Sequence, residues 1–107
     1  MRRGDLVTVA LQGDLGKPRP ALVIQSDLFD EHPSVTILPV TSDLRDAPLL
    51  RLTLSPTPAN GLRAESQIMA DKPQSVARDK VGAVIGRLAG SDMVAVNRAL
   101  VVFLGLA

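Results

Sequence analysis

Arg19 stands between two prolines in Lys17-Pro18-Arg19-Pro20. Proline fixes its own φ and pushes the residue before it toward extended backbone, so this arginine leaves the chain at a set angle. A guanidinium held that way presents a planar fork to a phosphate. It is equally a surface arginine ahead of an edge strand. Val40-Thr41-Ser42-Asp43 gathers two hydroxyls and a carboxylate in one short stretch. Such a set suits a polar site on a rim. It also suits turn chemistry, with Ser42 or Asp43 bonding the local backbone. Asp71-Lys72-Pro73 reads as a charged turn. Gly13-x-x-Gly16-Lys17 lacks the spacing of a phosphate loop and is followed by Pro18 rather than a hydroxyl residue.

Composition removes several chemistries. The chain has 107 residues, no cysteine and one histidine, His32. Thiol catalysis, disulfide scaffolds and cysteine-based zinc sites are excluded, and a Ser-His-Asp triad or a histidine-rich metal site is disfavoured. Asp27, Asp30 and Glu31 cluster around His32, which is the pattern of a solvated loop. Phe29 and Phe103 are the two aromatic residues. A row of stacking rings for single-stranded nucleic acid is therefore not available, and recognition of such a strand would fall to Arg, Lys, backbone and hydroxyl groups. Net charge is +1, which neither requires nor excludes a polyanionic partner. No apolar run approaches the ~20 residues of a membrane span. No apolar segment follows Met1-Arg2-Arg3-Gly4-Asp5, which points to the cytoplasm.

The elements that must place these residues are mostly short strands. With 46% hydrophobic residues, the length suits one domain, 1–107, with its own core. Asp5 to Leu11 alternates as a half-buried strand. Arg19 to Gln25 and Ser34 to Thr41 follow. Pro39 inside the latter suggests an edge position or a bulge. A turn of helix is expected around Asp27 to Asp30. Leu49 to Leu54, Ala64 to Ala70 and Lys80 to Leu88 complete the strands, with Ser55 to Gly61 as a turn closed by Asn60-Gly61. The two glycines of the last strand suggest a bend or a close backbone approach. Ser91 is a candidate N-cap. Met93, Val96, Leu100 and Phe103 form one helical stripe, and Gly105 is placed to end that helix. The pattern is that of a small antiparallel barrel capped by a C-terminal helix.

The order of segments carries a resemblance. Arg3 to Val7, Arg19-Pro20-Ala21-Leu22-Val23-Ile24-Gln25-Ser26-Asp27, Pro39-Val40-Thr41-Ser42, Ala70-Asp71, Ile85-Gly86-Arg87-Leu88 and the closing Ala99 to Leu106 follow one another. Over essentially the whole chain this resembles the MazF/PemK family of type II toxin–antitoxin ribonucleases. The resemblance implies a mainly β fold, an SH3-like antiparallel barrel of the CcdB/PemK kind with a C-terminal α-helix, usually a homodimer. It implies a cofactor-free, metal-independent endoribonuclease that cuts single-stranded RNA at a short sequence. It also implies a cognate antitoxin with an acidic, partly disordered segment that covers the RNA site. Arg19 and Thr41 match the family's catalytic pair. Lys17, Ser42, Asp71 and Lys72 are then the expected RNA-binding residues, Asp71 serving either RNA or a subunit interface.

Those residue types fit the implied chemistry. RNA carries its own nucleophile in the 2′-OH. Cleavage needs proton removal, stabilisation of charge on the phosphorane and a proton for the 5′-oxygen, and leaves a 2′,3′-cyclic phosphate and a 5′-hydroxyl. Arg19 is better suited to charge stabilisation than to proton removal, because its pKa is too high for a base. Thr41 would hydrogen-bond the phosphate or hold the nucleophile. Two departures stand out: the Gln12 to Pro18 loop is short, and Gln74 stands where many members have arginine, with Lys72 nearby to supply charge. The alternative reading is a noncatalytic protein of the same fold that binds a protein partner, antitoxin or gyrase. Gyrase-directed members of the fold use a C-terminal tryptophan, and this chain has none.

Overall fold

The computed structural model describes residues 1–10 and 17–106. Expectations for Leu11 and for Gln12 to Gly16, including the glycine pair, fall outside them. The elements are β1 (Asp5–Ala10), β2 (Pro18–Val23), β3 (Ser34–Thr41), β4 (Arg51–Leu54), β5 (Ser66–Met69), β6 (Gln74–Ala77), β7 (Val81–Arg87) and α1 (Gly90–Leu104), with short 3-10 turns at Asp27–Phe29 and Arg78–Lys80. The sheet runs β4-β5-β3-β2-β1-β7, with β6 also paired to β3. All of these pairings are antiparallel. The expected antiparallel sheet with a C-terminal helix is thus present.

Strand β3 organises the sheet. On one side it pairs with β2; on the other its first half pairs with β6 and its last two residues with β5. Pro39 falls between the β6 pairing, which ends at Ile37, and the β5 pairing, which begins at Val40. Its missing N–H is tolerated there, in a gap between two partners, and β3 is central rather than an edge strand. Strand β6 was not expected from the sequence. Gln74-Ser75-Val76-Ala77 offers one large apolar residue, and its pairing with β3 supplies the order that its pattern does not.

Strand β1 differs from the half-buried expectation. Leu6 and Val7 are both fully buried although they point to opposite faces. The even-facing residues Leu6, Leu22 and Leu38 join Val40, Leu54, Ile68, Val96 and Leu100 in one cluster. Val7, Val9, Ala21, Val23, Val35 and Ile37 form a second cluster on the other face. The sheet is therefore covered on both sides at its centre, on one side by α1.

The glycines of β7 do mark close approach. A methyl group at Gly86 would overlap the backbone of Asn60, and one at Gly82 would press on the Thr8 hydroxyl. Gly61 answers from the other side: its φ is +68°, and a side chain there would run into the Ile85 carbonyl. The Ser55 to Leu62 turn is thus locked onto β7. Helix α1 starts one residue before the Ser91 cap expected for it. Leu88 is buried and its N–H donates to the Gly4 carbonyl, so the chain turns at Ala89, which caps the helix without a side-chain bond. Ser91 lies in the first turn. Gly105 ends the helix in the left-handed conformation, φ 71°, as expected. Phe103, the last residue of the expected apolar stripe, is 45% exposed.

Candidate functional site

Arg19 on β2 and Thr41 on β3 line one cleft. Ala21 lies opposite Pro39 on the β2–β3 ladder. Arg19 and Thr41 each lie two residues beyond that last pair, so by strand alternation both follow the face of Ala21 and Pro39. Thr41 in turn lies opposite Gln67 on β5, and Gln67 opposite Thr53 on β4. A polar row, Thr41, Gln67 and Thr53, thus crosses three strands.

At the Thr41 end of this row opens a cleft of about 810 Å³. Arg19, Thr41, Ser42 and Lys72, four of the six expected site residues, line it. Lys17 and Asp71 do not, though each precedes or adjoins a lining residue. The Asp71 carboxylate lies 3.6 Å from the Lys72 ammonium, while its other oxygen is buried without a hydrogen-bond partner. Asp71 thus adjoins the cleft as the ion-pair partner of Lys72. Gln74, at the start of β6, also lines the cleft.

The Thr41 hydroxyl is fixed by turn chemistry, though not by the residues expected for it. Its Oγ1 accepts the Asp43 N–H at 3.0 Å. The hydroxyl proton is left as the donor to whatever occupies the cleft. Asp43 is the one carboxylate among the described lining residues. Arg45 donates to it at 2.9 Å, and this hydrogen bond, reinforced by the charge of Arg45, holds the Asp43 carboxyl below the usual carboxylate range. The same bond raises the Arg45 guanidinium. Arg19, Arg63 and Lys72 supply positive charge from separate walls, so the cleft suits an anion.

Gln67 holds the loop after Thr41, and the sequence carried no sign of it. This side chain is 6% exposed. Its Oε1 accepts from the Arg45 N–H at 2.9 Å and from Arg51 Nη1 at 3.0 Å. Its Nε2 donates to the Arg45 carbonyl at 3.0 Å and to Thr53 Oγ1 at 3.1 Å. Arg51 Nη1 also donates to the Asp43 carbonyl. The loop carrying Ser42 and Asp43 is therefore pinned from below. A glutamine in a short strand ordinarily reads as a solvent-facing residue, and only the β3–β5–β4 pairing shows it as a hub.

His32 is exposed; its ring bonds to Ser34 at the start of β3, its N–H donates to the Phe29 carbonyl, and its carbonyl accepts from Arg78 Nε at 2.6 Å. Among the described residues no group of three or more His, Cys, Asp or Glu could hold a metal ion. No helix among them is long and apolar enough to cross a membrane.

Residues 2–104 match the PemK-like, MazF-like toxins of type II toxin–antitoxin systems, and the chain belongs to that family. A probable endoribonuclease MazF of Mycolicibacterium smegmatis is 53% identical over 108 residues, covering 100% of this chain and 99% of that protein. Among solved structures, an endoribonuclease from a mycobacterial species, in complex with its cognate antitoxin, shares the fold. Its TM-score is 0.83 at 22% identity, with 100% of this chain and 97% of that one covered. A MazE–MazF structure from Deinococcus radiodurans has TM-score 0.80 at 24% identity, covering 100% and 97%.

Proposed function

We propose that this chain is an endoribonuclease toxin that cuts single-stranded RNA at a short sequence without a metal ion. The observation that carries the reading is the convergence of Arg19 and Thr41 on one cleft with cations on several walls. Arg19 stabilises the charge that builds on the phosphorane as the 2′-OH attacks. Thr41, its hydroxyl oxygen already bonded to Asp43, donates a hydrogen bond to a phosphate oxygen or to the 2′-oxygen and holds it in line, while the 2′-OH gives up its proton to water as it attacks and the departing 5′-oxygen takes one from water. Ser42 and Lys72 bind the neighbouring backbone, Lys17 extends the positive rim, and Asp71 steadies Lys72. The products are a 2′,3′-cyclic phosphate and a 5′-hydroxyl. The family's toxin–antitoxin pairing and the solved toxin–antitoxin complexes support an antitoxin partner, one whose acidic segment would occupy this cationic cleft. The exposed apolar residues of α1 support a homodimer. The cytoplasm, where RNA substrates are met, is the proposed location.

The test is incubation of the purified chain with a long, unstructured RNA in excess EDTA, beside Arg19→Ala and Thr41→Ala, with the ends mapped. Discrete cuts with 5′-hydroxyl ends, lost in both folded variants, are expected. A folded wild-type protein that cuts none of several RNAs would overturn the reading in favour of a protein-binding role.

A further inference from the structure

Arg63 has a fixed root and an uncommitted head. Its root is the Asn60-Gly61 turn. The Asn60 side chain, 6% exposed, accepts from the Thr57 and Leu62 N–H groups at 3.0 Å and donates to the Ser55 carbonyl at 2.9 Å. Gly61 is interlocked with the Ile85 carbonyl. Leu62 is buried on one side of Arg63, and on the other Ser66, also buried, ties back to the Ala64 carbonyl at 2.8 Å. The backbone of Arg63 is therefore held at both ends. Its side chain is exposed, lines the same cleft as Arg19 and Thr41, and makes no hydrogen bond or ion pair among the described residues.

We propose that Arg63 is a substrate-binding residue, the anchor for a phosphate next to the one that is cut. This rests on the ribonuclease reading. A single-stranded RNA passing Arg19 and Thr41 places phosphates at intervals along the cleft. Arg19 meets one of them from the β2 wall. Arg63, on the wall built by the 61–64 segment, meets another. A guanidinium with no partner among the described residues gives up none of their contacts on binding, and its planar fork matches a phosphate bidentately. Because the contact lies away from the reacting atoms, it holds substrate and transition state alike. It therefore acts on KM rather than kcat.

The experiment uses a short single-stranded RNA spanning a cut mapped for the wild-type protein. A copy with a 2′-deoxy nucleotide at the cut serves for binding across a salt series. For Arg63→Ala, a rise in KM of about tenfold with kcat little changed is expected, the loss of one charge-assisted contact. The slope of log affinity against log salt becomes shallower by about 0.7, the value for one phosphate contact on a single strand. Arg63→Lys recovers most of the slope. Lys80→Ala removes an exposed charge outside the cleft lining and leaves both readouts unchanged. Wild-type affinity and slope in Arg63→Ala, while Arg19→Ala abolishes cutting, would overturn this assignment and leave the ribonuclease reading intact. A loss confined to kcat would overturn it as well. Failure of the wild-type protein to cut or bind any RNA would remove the ribonuclease reading and this inference together.

Discussion

The Thr41 hydroxyl oxygen accepts the Asp43 N–H, and that one bond links the candidate catalytic residue to the loop that follows it. The loop is held in turn by Gln67, so Gln67→Leu is expected to act at a distance. Removing the amide leaves the Arg45 N–H and carbonyl without their partner and should cost about 2 kcal/mol in urea unfolding. Cleavage by the folded variant should fall mainly in kcat, because the Thr41 hydroxyl loses its fixed direction. Unchanged kcat in a destabilised variant would mean that Gln67 only holds the fold. Asp43 gives a second, electrostatic check. Arg45 holds its carboxyl low, chiefly through their hydrogen bond. The pair therefore orders the loop above the unfolded carboxyl pKa of about 3.9 and is lost as pH falls through the lower folded value. An NMR titration should show the Asp43 midpoint rising in Arg45→Ala; equal midpoints would show that the pair does not persist in solution. At this scale the residue types were legible and their relations were not. The prolines around Arg19 and the hydroxyl cluster at Thr41 left both open to plain surface or turn readings, and the family resemblance is what singled them out. Gln67 and Arg63 gave no such signal, because one depends on cross-strand register and the other on the cleft wall.

At the scale of elements, the strands that carry their own alternation or apolar run were legible, Ser34–Thr41 to the residue. Those whose order comes from a neighbour were not. Strand β6 is a strand because β3 pairs with it, and α1 begins at Gly90 because Leu88 is drawn into the core. Pro39 misled about position, since its missing donor falls where β3 changes partners rather than at a sheet edge. The β7 glycines were readable as sites of close approach, and that approach has a measurable cost. Gly86→Ala must push a methyl group into the Asn60 backbone, which has no flexible end to yield. A loss of at least about 2 kcal/mol is expected from overpacking, seen as a lower urea midpoint with unchanged m-value. Gly90→Ala is the contrasting case, with open space around the new methyl. It should be neutral or stabilising, since alanine is the better helix residue by about 1 kcal/mol. Similar losses for the two would mean that the 55–62 turn is not locked to β7 as described. Because the same turn roots Arg63, Gly86→Ala should also weaken RNA binding more than its effect on folding accounts for.

For the whole molecule, α1 has more apolar surface than the sheet covers. Val96 and Leu100 are buried against the core, yet Val94, Val102, Phe103 and Leu104 are 49%, 65%, 45% and 51% exposed, and Leu106 beyond the helix is 73% exposed. Single exposed apolar residues are ordinary; a run of them at one helix end is the mark of a contact surface. The sequence already showed this excess, because Val94, Val101 and Val102 lie off the Met93–Phe103 stripe, but it could not show that Phe103 itself stays outside the core. A second copy is the partner that the surface fits best, since an isologous contact uses the same apolar patch twice. Sedimentation at micromolar concentration should give twice the 11.3 kDa of one chain. Val102→Asp with Phe103→Asp should shift the species to one chain without loss of helical circular dichroism, because neither side chain supports the buried clusters. If the wild-type protein sediments as a single chain, the apolar end of α1 must be covered by something else, and the antitoxin becomes the partner to test against the same two substitutions. If the double variant is monomeric yet still cuts RNA at the wild-type rate, each cleft works alone. A monomer that binds RNA but no longer cuts it would mean that the active site is completed across the interface.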